Sequence, residues 1–246
     1  MHGELNATHD PARSSWVESA NAAGGDFPIQ NLPFGLFRAD ATSGGSAPRG
    51  GVALGDQLVD LGRIVGELHG LAAAAARAAS GSSLLPLLAQ PPEAVSLLRA
   101  ALSDLYRADG RGPSAGARAA LVPLNTVEMV LPVKPPGFAD FCCSIDHIRR
   151  MAAGTGRPVA ACADRLPVGY NGRASSVAVS GTPVIRPRGQ FESRPGSGDV
   201  RYGPEPRLDY ELEFGVWLRG GNPLGRALSV AEAEAMMFGC SLLNDW

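Results

Sequence analysis

The chain has 246 residues, enough for one large domain or two ordinary ones, and its 45% apolar and 19% charged residues exclude a disordered polymer. A formal net charge of −2, from 22 basic and 24 acidic side chains spread along the chain, leaves no excess that would draw nucleic acid or an anionic membrane. The partner to expect is a small molecule or another protein chain.

Glycine (31) and proline (20) are abundant enough to predict many turns and a β-rich architecture. Residues 1–25 read as a mobile leader, and they lack the basic stretch and apolar core of a secretory signal. Next, "DFPIQNLPFGLFR" and "RGGVALGDQLVDL" read as strands, the second a hairpin turning at Gly55-Asp56. Helices follow. "GLAAAAARAAS" is alanine-rich, "PPEAVSLLRAALSDLYRADG" runs from Pro92 to about Gly110, and a short third helix is expected through "GARAALVPL". The strand-like "TVEMVLPVKPPG" then passes through prolines, which places a domain boundary near residue 125. The expected division is 26–125 and 126–246. Beyond Arg157 short strands alternate with Gly/Pro turns, and "LDYELEFGVWL" is the clearest strand of all. In "SVAEAEAMMFGCSLLNDW", Ser229 and Glu232 form a capping-box pattern for a helix ending near Gly239.

The four cysteines (Cys142, Cys143, Cys162, Cys240) have neither zinc-site nor disulfide-framework spacing, which points to a reducing, cytoplasmic setting. The adjacent Cys142 and Cys143 are expected as small buried packers. The longest greasy run, "LAAAAARAAS", contains Arg77 and is too short to span a bilayer. Lys134 is the sole lysine in the sequence, so lysine chemistry is confined to that position.

Three acidic sets stand out. In the strand, Asp209, Glu211 and Glu213 share one face while Leu208, Tyr210, Leu212, Phe214 and Val216 share the other. Such a row is tolerated either as a solvated face or around a cation, and oxygen ligands without nearby histidine or cysteine suit magnesium or calcium. In "DFCCSIDH", Asp140 and His147 lie seven residues apart, two turns on one face if the segment is helical, where a histidine can act as general base. The alternative is a histidine bonded to local backbone. Asp245, in the terminal "LLNDW", is uninformative alone.

Together, "DFPIQNLPFGLF", "GVALGDQLVDL", "LPVGYNGRASSVAVSGTPVIRPRGQ", "LDYELEF" and "FGCSLLNDW" resemble the fumarylacetoacetase family of hydrolases. The resemblance implies an α+β, β-rich fold: an N-terminal SH3-like barrel with helices, then a mixed β-roll catalytic domain that forms a homodimer. It implies hydrolysis of 4-fumarylacetoacetate to fumarate and acetoacetate, the last step of tyrosine and phenylalanine catabolism. Family motifs assign Ca2+ or Mg2+ to Asp140, Glu211, Glu213 and Asp245, the general base to His147, and substrate contact to Tyr170. They leave Asp209 a structural role.

Some positions depart from the family pattern. Cys142 stands where relatives carry an aromatic substrate residue, Asn171 stands where many carry histidine, and Arg157 falls one position from the substrate arginine. The sequence stops at the Asn-Asp-Trp motif, so the lysine-glycine pair and the glutamate that orients the base lie outside it. The expectation is therefore a catalytic domain without its C-terminal part, poorly active or inactive alone. The alternatives are a non-catalytic fragment that keeps fold or dimer contacts, or another dioxo-acid reaction on the same scaffold.

Overall fold

In the computed structural model, which describes residues 5–39 and 46–246, short strands build the first sheet. β1 (Phe34–Ala39), β2 (Arg49–Leu54) and β3 (Gln57–Asp60) form an antiparallel meander. β4 (Leu121–Pro123) adds to β3 and β5 (Val127–Val130) adds to β1, giving the order β4-β3-β2-β1-β5. β5 lies beyond the boundary expected near residue 125, yet it completes this first sheet. The strand expected from residue 26 begins only at Phe34, because Leu32 takes a left-handed φ of 43° with its side chain buried.

The β2–β3 hairpin turns at Gly55-Asp56 as predicted, with Leu54 opposite Gln57. Gly55 has φ +60°, and a Cβ there would lie 2.5 Å from the Ala20 backbone nitrogen and 2.7 Å from the Ser19 carbonyl carbon. Both the left-handed backbone and the close approach require glycine. Gly55→Ala is expected to destabilise the fold by about 3 kcal/mol, combining backbone strain with overpacking. An unfolding free energy from urea denaturation that stays within about 1 kcal/mol of the parent would contradict this.

Helices α1 (Leu61–Ile64), α2 (Gly70–Ala79), α3 (Leu85–Leu88), α4 (Pro92–Tyr106) and α5 (Ala115–Ala119) follow. α2 buries Ala72, Ala73, Ala75, Ala76 and Ala79, small side chains that let it pack closely on α4. The buried face of α4 is Ala94, Leu98, Leu102 and Tyr106, four residues apart in each step, with Ser103 buried beside them. α4 stops at Tyr106 rather than Gly110 because Arg107 turns extended and bridges to Ser15.

That bridge corrects the reading of the first 25 residues as a mobile leader. Trp16 stacks on Tyr106 with ring centroids 5.1 Å apart, its Nε1 donates to the Leu105 carbonyl at 2.9 Å, and Arg13 donates to Ser103 Oγ at 2.6 Å. Thr8, Ser15, Val17 and Ala20 of this segment are buried, and residues 1–4 lie outside the described residues. Tyr106 is wholly buried and donates to the Ala117 carbonyl at 2.9 Å. Burial pushes its phenol well above the usual range, and the negative Glu67 adds to the shift.

The later elements are β6 (Ala139–Cys142), α6 (Ile145–Thr155), β7 (Val168–Asn171), β8 (Arg188–Glu192), β9 (Val200–Pro204), β10 (Glu211–Leu218), α7 (Val230–Ala235) and β11 (Met237–Asp245). They pair as three antiparallel two-stranded sheets among the described residues: β6–β7, β8–β9 and β10–β11. The chain divides into two units, one of Met1–Pro132 with Gly181–Trp246 and one of Val133–Ser180. The architecture is α+β and sheet-rich. No helix among the described residues is long and apolar enough to cross a membrane.

α7 starts with the predicted capping box, Ser229 and Glu232 bonding reciprocally, but it ends at Ala235 instead of near Gly239. Pairing with β10 takes the chain from Met237 onward into β11. The ladder is irregular there. Trp217 faces Gly239 and Leu218 faces Met237, so Phe238 is an extra, bulged residue. Its ring lies 6.5 Å from that of Phe34.

The largest fully buried side chains all fall between Ile29 and Tyr106. β10 and β11 differ. Their apolar side stands in solvent, with Leu212 and Phe214 each 70% exposed and Leu242 74% exposed. An apolar row of this kind favours self-association. Phe214→Ser is expected to change the unfolding free energy by no more than about 0.5 kcal/mol. It should also raise the concentration at which light scattering detects association.

Candidate active site

The alternation that opens the β10 strand places Glu211 and Glu213 on one side of it, opposite in direction to Leu212 and Phe214. Antiparallel pairing sets Asp245 of β11 directly across from Glu211, and Leu243 across from Glu213. Side chains of directly paired residues share a face, so three carboxylates line one side of this ribbon. Oxygens of Glu213 and Asp245 approach within 4.8 Å of each other. Glu213 is half-buried, whereas Glu211 and Asp245 are exposed. Further along the same face, Trp217 Nε1 donates to Ser241 Oγ at 3.1 Å; at the other end of the ribbon the Tyr210 and Trp246 rings lie 5.3 Å apart. Asp209 stands outside the ladder, its carboxylate accepting from the Tyr210 backbone N–H at 2.8 Å.

In the Val133–Ser180 unit, β6 pairs with β7 so that Asp140 faces Tyr170, and Cys142, on the same side as Asp140, faces Val168. The Tyr170 hydroxyl donates to Asp140 Oδ2. Helical spacing between Asp140 and His147 does not apply: Asp140 belongs to a strand, and the helix starts only at Ile145. Ser144 caps α6, its Oγ accepting from the His147 backbone N–H at 3.3 Å, which seats half-buried His147 in the first turn. Asp146 is exposed and pairs with Arg149 at 3.5 Å. Cys142 is half-buried and Cys143 exposed, so neither is the buried packer expected of it.

α6 ends at Gly156, whose left-handed φ of 65° closes the helix with the Arg157 N–H bonded to the Ala152 carbonyl at 3.1 Å. Arg157 is exposed and lies a helix length, ~15 Å of backbone rise, from His147. The two are not brought together. The Tyr170–Asp140 hydrogen bond had no readable signal, because thirty residues separate the partners and only strand register joins them.

Comparison with known sequences decides the family. Residues 30–132 match the model described as fumarylacetoacetase N-terminal, and residues 137–246 match that described as fumarylacetoacetate (FAA) hydrolase C-terminal. The chain belongs to the fumarylacetoacetase family. It is 40% identical over 249 residues to the fumarylacetoacetase of Oryza sativa subsp. japonica, a match covering 97% of this chain and 57% of that protein. The Arabidopsis thaliana fumarylacetoacetase is 35% identical over 228 residues, covering 89% of the chain and 53% of the relative. For the Homo sapiens fumarylacetoacetase the identity is 35% over 229 residues, with 90% and 54% covered. The chain thus spans about half the length of the curated fumarylacetoacetases it matches.

Proposed function

We propose that the chain carries the metal and general-base residues of a hydrolase that cleaves the carbon–carbon bond of 4-fumarylacetoacetate to fumarate and acetoacetate. This is the last step of tyrosine and phenylalanine catabolism, in the cytoplasm. The observation that carries the reading is the row of Glu211, Glu213 and Asp245 on one face of the β10–β11 ribbon. These are hard oxygen donors with the chemistry Ca2+ or Mg2+ requires, and family correspondence adds Asp140 to the set. We read the sheet β4-β3-β2-β1-β5 as the family's N-terminal SH3-like barrel, and the full-length form as a homodimer.

Glu211, Glu213, Asp245 and, by family correspondence, Asp140 would hold the divalent cation, which would supply Lewis acidity to the reaction. His147 takes a proton from the water that adds to the fumaroyl carbonyl carbon. The carbon–carbon bond then breaks, its electron pair leaving on the acetoacetate fragment as an enolate, which the proton held by His147 returns to the methyl form. Tyr170, Cys142 and Arg157 are the substrate-contacting positions by family correspondence. The cysteine lacks the hydroxyl that an aromatic residue at its position would offer.

A second reading rests on the exposed apolar side of β10 and β11: the chain keeps fold and ion contacts but turns over substrate poorly by itself. Calorimetric titration with calcium and magnesium chloride, run beside an assay for fumarate and acetoacetate release, separates the two. Ion binding with turnover abolished by a chelator supports the hydrolase. Ion binding without turnover supports the fragment, and absence of binding to either ion removes the metal centre altogether.

A further inference from the structure

We propose that Tyr170 is a positioning residue for Asp140: its phenol ties down Oδ2 and leaves Oδ1 to serve the cation. The proposal rests on the metal-centre reading above and assigns Tyr170 a task other than substrate contact. The strand register sets Asp140 and Tyr170 opposite each other, and the hydroxyl donates to the carboxylate. An O–H donor to an ionised oxygen makes a charge-assisted bond, roughly twice as strong as a neutral one.

The placement is built into β7 from both sides. A Cβ on Gly169 would lie 2.4 Å from the Phe141 ring, and one on Gly172 would lie 2.0 Å from the Phe138 ring. The two glycines flanking Tyr170-Asn171 therefore leave room for aromatic rings of the opposing chain to lie across the strand. Gly172 N–H also bonds the Phe138 carbonyl at 2.8 Å. Register could not slip by one residue without driving these rings into side chains.

A phenol has one proton. While Tyr170 donates it to Asp140, the hydroxyl can meet substrate only through its lone pairs, so it accepts from a substrate donor and does not itself stabilise a developing oxyanion. Orienting partners of metal-binding carboxylates typically set affinity by 10- to 100-fold.

The test is calcium titration of the full chain, followed by calorimetry and by the near-ultraviolet difference spectrum of tyrosine. Tyr170→Phe is expected to weaken calcium binding about tenfold and abolish the calcium-induced tyrosine band, with the ion-free melting temperature unchanged. Gly169→Ala, which keeps the phenol but displaces the Phe141 ring, should weaken binding in the same direction. Tyr202→Phe, on exposed β9, should retain parental affinity and band. Parental affinity in Tyr170→Phe, with binding lost in Asp140→Asn, overturns the positioning role while the metal centre stands. A parent chain that binds neither calcium nor magnesium, or an Asp140→Asn variant with undiminished affinity, overturns both.

Discussion

Asp60→Ala is expected to lower the unfolding free energy by about 4 kcal/mol, with one carboxylate lost from three jobs. Asp60 is the last residue of β3 and is only 1% exposed. Its Oδ1 caps α1, accepting from Gly62 N–H at 3.0 Å and Arg63 N–H at 3.3 Å. Its Oδ2 accepts from Arg49 Nε at 2.7 Å, and Arg63 Nε lies 3.3 Å away. The Arg49 guanidinium also sits over the Phe37 ring, 4.6 Å from its centroid. Removing the carboxylate strands a largely buried cation and uncaps a helix. Breaking such a pair costs about 3 kcal/mol, the low end of the usual range because Arg49 keeps some exposure, and the cap adds about 1. Asp60→Asn keeps an acceptor for the cap and should fall between parent and alanine variant. Urea unfolding followed by circular dichroism measures both, and an alanine loss below about 1 kcal/mol would falsify the account.

Glu213→Gln should reduce calcium affinity on the order of 100-fold, whereas Asp209→Asn should leave it nearly unchanged. The two residues lie four apart and carry the same charge type, so net charge alone predicts equal effects. Geometry separates them. Glu213 shares a face with Asp245, their oxygens within 4.8 Å, while Asp209 precedes the ladder and serves its neighbour's backbone N–H. Glutamine preserves size but withdraws the negative charge that a divalent ion needs. Calorimetry at one fixed ionic strength makes the comparison, since screening would otherwise blur a charge effect. Equal losses in the two variants would mean that the acidic row acts only as a diffuse field.

Much of this was legible from sequence where the signal was local. Alternation in β10 correctly sorted Glu211 and Glu213 from Leu212 and Phe214, and the Ser229–Glu232 capping box correctly started α7. Misreadings arose wherever distant pairing overrode local pattern. The two-turn spacing of Asp140 and His147 lost its meaning once β6 paired with β7. α7 ended early because β10 claimed its continuation, and α4 ended early because Ser15 bridged Arg107. The first residues looked like a leader because their composition is polar, yet Trp16 and Arg13 anchor them on α4. Helix and strand propensities carry no information about a partner ninety residues away.

The bulge at Phe238 sets the phase of the whole ribbon. Counting from Leu218 opposite Met237, an unbroken ladder would bring Asn244 across from Glu211 and turn Asp245 towards Leu212 and Phe214. The single extra residue shifts every later pair by one, and so swings Asp245 to the acidic side. The grouping of the carboxylates at one end of the ribbon is thus decided some seven residues away, by a phenylalanine.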